Sequence, residues 1–335
     1  MAIPVRLARL DSDEQELTDV LQTNLPYRQH TLFFQWLYRD NPAGEARAWV
    51  ATDPATNRIV GAAAAFPRLI SCGSDEALGY VLGDFCIQPL YRSLGHALAL
   101  QRACLDGLSA SSPVFIFDFP SQSMLTIYKR LRIDVNGEMV RYAKLLRADR
   151  KLAERVPIGA VARGLSFVVN AGLRLCERGT RDLGEQRVAP EKGPWGEEFT
   201  RAARKWSPHT GVCVLRTADY LNWRYRKHPV QSYELLAARH GEELSGFLIL
   251  HLASENCVID DLLAQDDRVC RALLTEAAAV ARQRGVHTLS APWLSTHPGR
   301  HLLKQRGFQP RESHPVILLP PANHNWYLTS GDWEG

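Results

Sequence analysis

No stretch of this 335-residue chain reaches the ~18 uninterrupted apolar residues that a membrane-spanning helix needs. The first residues, MAIPVRLARLDSDEQE, hold no apolar core of the kind a secretory signal carries, so a cytoplasmic location is expected. No C-x-x-C pair occurs. The seven cysteines (72, 86, 104, 176, 213, 257 and 270) are odd in number and scattered, which argues against a zinc ribbon and a disulfide framework. They are expected as reduced, buried thiols. The composition is not biased either. Its 45% hydrophobic and 23% charged residues exclude a disordered tail, a collagen or a coiled coil. At roughly 100–200 residues per domain, the length implies two domains.

The net charge of +4 is unevenly placed. Residues 144–181 hold nine Lys/Arg against three acids, so the remainder is slightly acidic. A solvated interdomain helix is the first reading of the linker 149–184. Peripheral contact of 149–181 with an anionic membrane surface is the second, because residues 158–162 and 165–169 supply apolar patches. No nucleic-acid-reading motif accompanies the charge, so no nucleic-acid partner is expected.

The chain repeats itself. Trp36-Leu37-Tyr38-Arg39-Asp40-Asn41-Pro42 recurs as Trp223-Arg224-Tyr225-Arg226-Lys227-His228-Pro229, both W-x-Y-R-x-x-P, 187 positions apart. Each copy is followed by a predicted hairpin, an apolar strand bearing an aspartate, an amphipathic helix, another strand, a short helix and a last strand. The order β-α-α-β-β-β-α-β-α-β in each half predicts two copies of one α/β (α+β) domain, at 1–148 and 185–335.

Arg92-Ser93-Leu94-Gly95-His96-Ala97 stands between the strand Val81–Ile87 and the helix Leu94–Leu108. A helix N-terminus offers unpaired N–H groups and the positive end of a dipole to a phosphate. Gly95 admits close approach, Ala97 keeps the first turn open and Arg92 adds a cation. An ordinary strand-to-helix turn is the plain alternative. In this context the loop fits R/Q-x-x-G-x-G/A and resembles the acyl-CoA-binding loop of the GCN5-related N-acetyltransferase superfamily. The element order of both halves resembles the same fold, each half a mixed, mostly antiparallel sheet flanked by helices. The W-x-Y-R-x-x-P element and the DFCIQPLYRSLG stretch suggest the tandem members found in bacterial exopolysaccharide gene clusters. The second half reads Gln265-Asp266-Asp267-Arg268-Val269-Cys270-Arg271 at the loop, without glycine and with two carboxylates that would repel a pyrophosphate.

The resemblance implies acyl transfer from acetyl-CoA, or another acyl-CoA, to a small-molecule amine, without a metal. Phe85, Cys86 and Ile87 are then the backbone N–H candidates for the thioester oxygen. Arg92, Leu94, Gly95, His96 and Ala97 form the phosphate loop. Asp84 is the first candidate base, with a structural aspartate at a strand bulge as its plain reading. Asp118, on the apolar strand Phe115–Phe119, is the second. The superfamily pattern N-x-x-A-x-x-x-Y-x-x-x-G-F meets Ser121, Met124, Tyr128 and Arg132-Ile133 here. Tyr128 is therefore the candidate acid, with helix–sheet packing as its plain reading, and Ser121 stands in for asparagine. The second half keeps Gly307-Phe308 but has Leu303 at the tyrosine position.

The other motifs have structural roles as their first expectation. Trp36, Tyr38, Trp223 and Tyr225 are expected to pack, with Arg39 or Arg226 lining an anion-binding cleft as the alternative. His297 and His301 have H-x-x-x-H spacing, but Pro298 and Gly299 argue against a metal site. The aromatic tail, with Trp326, Tyr327 and Trp333, is expected to pack onto the body. The acceptor implied by the polysaccharide resemblance is an amino sugar or sugar nucleotide. A CoA- or partner-binding pseudoenzyme and an aminoacyl transferase acting on a cell-wall precursor are the alternatives.

Overall fold

The computed structural model describes residues 3–25, 29–109, 115–147, 186–320 and 325–333. The readings of the linker 149–184 lie outside the described residues.

The first series of elements is β1 (Val5–Leu7), α1 (Leu10–Asn24), α2 (His30–Phe34), a π-helical turn (Gln35–Arg39), β2 (Arg47–Thr52), β3 (Ile59–Cys72), β4 (Asp75–Ile87), α3 (Leu94–Ser109), β5 (Phe115–Asp118), α4 (Gln122–Arg130) and β6 (Gly137–Leu145). The second is β7 (Gln186–Glu191), α5 (Glu197–Trp206), β8 (Val212–Val214), α6 (Ala218–Leu221), a π-helical turn (Asn222–Arg226), β9 (Glu234–His240), β10 (Glu243–Ala253), β11 (Asn256–Ala264), α7 (Asp267–Gln283), β12 (Thr288–Leu294), α8 (Arg300–Gln305), β13 (Gln309–Leu319) and β14 (Trp326–Tyr327). The predicted order recurs in both halves, with β8 and β14 as additions to the second. The sheet is mixed and mostly antiparallel, with parallel pairings at β4–β5, β11–β12 and β8–β14.

Strand β3 shows why these residues form a central strand. Ile59, Ala62, Ala64, Phe66 and Ile70 join Leu17, Val20 and Leu21 of α1 in one core. Val60, Ala63 and Ala65 join Leu100, Cys104 and Leu108 of α3 in another. Alternate side chains of a strand point to opposite faces, so a strand covered on both faces reads as a continuous apolar run. A third core gathers α7 against β9–β12.

Two features join the halves. The order along the sheet is β1-β2-β3-β4-β5-β13-β6-β12-β11-β10-β9-β7, so the last strand of each series lies beyond the other's. β13 pairs with β5 and β6, and β6 pairs with β12. In addition, Trp36 and Trp223 stack at 4.9 Å, and each indole donates to the other's carbonyl, at 2.9 and 2.8 Å. The repeated tryptophans therefore meet each other.

Strands β4 and β5 pair only from Gly79–Val81 to Phe115–Phe117, and β11 pairs with β12 only from Asn256–Val258 to Thr288–Ser290. Beyond these stretches the strands part and leave two clefts. Among the described residues, no helix is long and apolar enough to cross a membrane.

Candidate active site

The first cleft opens at a β-bulge. Gly83 pairs with Ala64 and Cys86 with Ala62, so Asp84 and Phe85 together oppose Ala63. Asp84 takes up the bulge with φ of 48°, a left-handed conformation that costs a non-glycine residue about 1–3 kcal/mol. Aspartate is among the residues that tolerate it best. Its carboxylate is buried and accepts the Tyr38 hydroxyl at 2.8 Å, with His30 Nδ1 3.9 Å away. Tyr38 reaches this point from the first W-x-Y-R turn.

On one side of the bulge lies a cavity of about 590 Å³, lined by Asn24, Leu25, Phe85, Cys86, Ile87, Arg92, Ser93, Leu94, Ala97, Ser123, Thr126 and Ile127. It sits at the N-terminus of α3. Arg92 donates Nε to Ile87 O at 2.9 Å and Nη2 to Asn24 Oδ1 at 3.3 Å, which fixes the cation at the cavity wall. Ser93 Oγ accepts the His96 N–H at 3.2 Å. A Cβ built on Gly95 would meet only Ser93 Oγ, at 4.0 Å, so the first turn faces open space. His96 is turned away from it, and its Nδ1–H donates to Tyr91 O at 2.8 Å. Burial pushes the Cys86 thiol up to about 12, so it stays protonated.

On the other side lies a cavity of about 380 Å³ that shares Leu25 and Phe85 with the first. Asp84, Gln101, Asp118, Phe119, Ser121, Met124 and Trp333 are among its walls. Ser121 caps α4, accepting the Met124 N–H at 3.4 Å. Burial raises the Asp118 carboxyl to about 6, partly offset by the Tyr128 hydroxyl and a backbone N–H at Phe119. Tyr128 donates to Asp118 Oδ2 at 2.5 Å and accepts from Gln101 Nε2 at 3.2 Å.

Tyr128 is 1% exposed and lines neither cavity, and burial beside Asp118 raises its hydroxyl well above its usual value. So placed, the hydroxyl is bonded to both Asp118 and Gln101. Arg39 is likewise not in a cleft, because it pairs with Asp11 and Glu14, each at 3.0 Å, on the outer surface. His297 is buried between Trp293 and Tyr327, and the exposed His301 bonds Asp267, so the two do not form a ligand pair. Among the described residues, no His/Cys/Asp/Glu group could hold a metal.

The second cleft holds the protein's own tail. Tyr225 donates to Asp261 at 2.9 Å, repeating the Tyr38–Asp84 pair. Here, however, Arg216 bonds both Asp261 and Asp332, and the Tyr327 hydroxyl reaches Leu262 O. Thr329 bridges Trp293 at the end of β12. At the loop position, Asp266 caps α7 by accepting the Val269 N–H at 2.9 Å. From this anchorage the tail runs to the first cleft, where Trp333 stacks on Phe119 at 5.2 Å. Sequence reasoning missed Trp333, Phe119 and Gln101 as wall residues. Only the aromatic tail hinted at Trp333.

No family model matches the sequence, and no curated protein matches it either. Solved structures do match in three dimensions. A GCN5-related N-acetyltransferase from Anabaena variabilis is 13% identical over 94% of this chain and 72% of its own, with a TM-score of 0.67. A probable N-acyltransferase of unknown function from Enterococcus faecalis is 11% identical over 95% and 72%, with a TM-score of 0.66. A GCN5-related glucosamine N-acetyltransferase region of a fungal multi-domain β-N-acetylglucosaminidase is 13% identical over 95% and 38%, with a TM-score of 0.56. At these identities the likeness is one of architecture, and the chain has the fold of the GCN5-related N-acetyltransferases.

Proposed function

We propose that the protein is an acyl-CoA-dependent N-acyltransferase that acts on a small primary amine in the first cleft. The observation that carries this reading is the pair of cavities meeting at the Asp84–Phe85 bulge. One is walled by the N-terminus of α3 and an anchored arginine, and the other includes two buried aspartates in its wall. The first suits a pyrophosphate. The second suits an ammonium.

Acetyl-CoA, the default donor, supplies the activated acyl thioester. Amides freed from the ladder at the bulge, Phe85 foremost, donate to the thioester oxygen. Arg92, Leu94, Gly95 and Ala97 hold the phosphates. Asp118, raised towards neutrality, takes a proton from the ammonium, and Tyr128 holds it in place. Asp84, its side chain buried against Tyr38, lies in the wall of the same cavity and adds negative charge behind it. Over the reaction the amine nitrogen gives up two protons. One leaves through Asp118 to solvent, and the other ends on the departing sulfur as the C–N bond forms and the C–S bond breaks.

The two halves are read as tandem domains, 1–148 and 185–335 about the basic linker, with the second as scaffold. Its loop is capped by Asp266 and its cleft is filled by the tail. An amino sugar acceptor draws support from the exopolysaccharide-type resemblance and from the glucosamine transferase of the same fold. Acetyl-CoA is expected to raise the melting temperature of the wild type, and Gly95→Glu to abolish the rise by placing a carboxylate where the phosphates bind. No shift with any acyl-CoA overturns the donor assignment. A shift without thiol release from any amine favours the pseudoenzyme.

A further inference from the structure

The wall of the 380 Å³ cavity that comes from the far end of the chain is Trp333. Several bonds hold it there. Buried Arg224 donates Nε to Gly331 O at 2.9 Å and Nη2 to Trp333 O at 3.0 Å. Asp332 is fixed by Arg216 at 2.7 Å and closes a reciprocal cap with Thr329. The tail is seated so closely that a Cβ on Gly331 would fall on the Tyr225 hydroxyl and lie 2.9 Å from Asp260 O. The indole therefore stands where its backbone is pinned, stacked on Phe119 with planes 26° apart. It still keeps 39% of its surface open. An indole whose backbone is pinned and whose face is uncovered, in a cavity wall that also includes Asp84 and Asp118, is a preorganised platform.

We propose that Phe119 and Trp333 form the acceptor subsite and select amines carried on a ring. The ring packs on Trp333 while its ammonium reaches Asp118, with the charge of the buried Asp84 behind it. A pyranose presents weakly positive axial C–H bonds to an indole face, and an aryl group packs on it offset or edge-on, so both are flat partners that an indole recognises. A linear polyamine is not one. The proposal rests on the transferase reading above and adds the class of substrate. Trp333 is thus a specificity determinant supplied by the second half to the first cleft.

The test uses full-length wild type, Trp333→Ala and Trp333→Phe with acetyl-CoA and three acceptors: glucosamine, phenethylamine and putrescine. Thiol release gives kcat and KM for each. Calorimetry on the CoA-loaded protein gives acceptor binding without turnover. Trp333→Ala is expected to raise KM for the favoured ring amine about tenfold, the loss of one aromatic contact. Trp333→Phe should recover most of that loss, and the acetyl-CoA melting shift should stay the same in all three proteins. Preference for glucosamine identifies a pyranose, and preference for phenethylamine an aryl group. Tightest binding of putrescine, binding of none of the three, or an unchanged KM in Trp333→Ala each overturns the proposal. Loss of the acetyl-CoA shift in the wild type overturns the transferase reading instead.

Discussion

Asp118, the proposed base, has its proton affinity set by two opposed influences. Its burial raises it to about 6, and the Tyr128 hydroxyl pulls it partly back by bonding the charged form. The proton is held below that value and lost above it, so kcat/KM should climb with an acidic limb near pH 6. Asp118→Asn should remove the limb. Tyr128→Phe removes a bond that favours the carboxylate, so the limb should move to higher pH by about one unit, the worth of a weak charge-assisted bond. A pH–rate profile of the two variants checks both, and a limb that stays put in Tyr128→Phe would separate Tyr128 from the base. The linkage runs the same way for stability. A carboxyl raised on folding favours the fold at low pH, and its contribution is lost as pH rises through about 6. Little of this was legible beforehand. Asp118 stood out as a charge on an apolar strand and Tyr128 as the survivor of a motif. Their mutual bond, which turns Tyr128 away from the cavity, depends on the angle between β5 and α4, and spacing does not encode that angle.

Among elements, the tail from Trp326 to Trp333 departs furthest from what the chain suggested. Its aromatics predicted packing onto the body, and Trp326 and Tyr327 are indeed buried. Where it packs was not readable, because its anchor Arg216 lies 116 residues from Asp332. Gly331→Ala should force the tail off Tyr225 and Asp260, lowering unfolding stability by about 1–3 kcal/mol, as overpacking does. It should also weaken acceptor use with little change in acetyl-CoA binding. Denaturant melts and paired KM values measure this, and an unaltered melt would mean the tail can shift at no cost. By contrast, β3 and α7 were plain in the sequence, β3 as an unbroken apolar run and α7 by its period of 3.6.

In the molecule as a whole, the element order was legible and the pairing was not. β6 and β13 each look like the closing strand of their own half, yet each pairs across the divide. Local pattern says that a strand has an apolar face but not whose edge it completes. The exchange makes a definite prediction. Residues 1–147 and 186–335 expressed apart should each expose an unpaired sheet edge and fail to give a soluble, cooperative fold. Co-expressed, they should assemble one-to-one with a single melting transition. Two fragments that fold independently, as read by calorimetry and sizing, would contradict this. The same exchange bears on descent. Once each half borrows its last strand from the other, neither can be lost, shuffled or replaced alone. If the second half is the scaffold proposed above, selection still keeps it, because the first half cannot be finished without it.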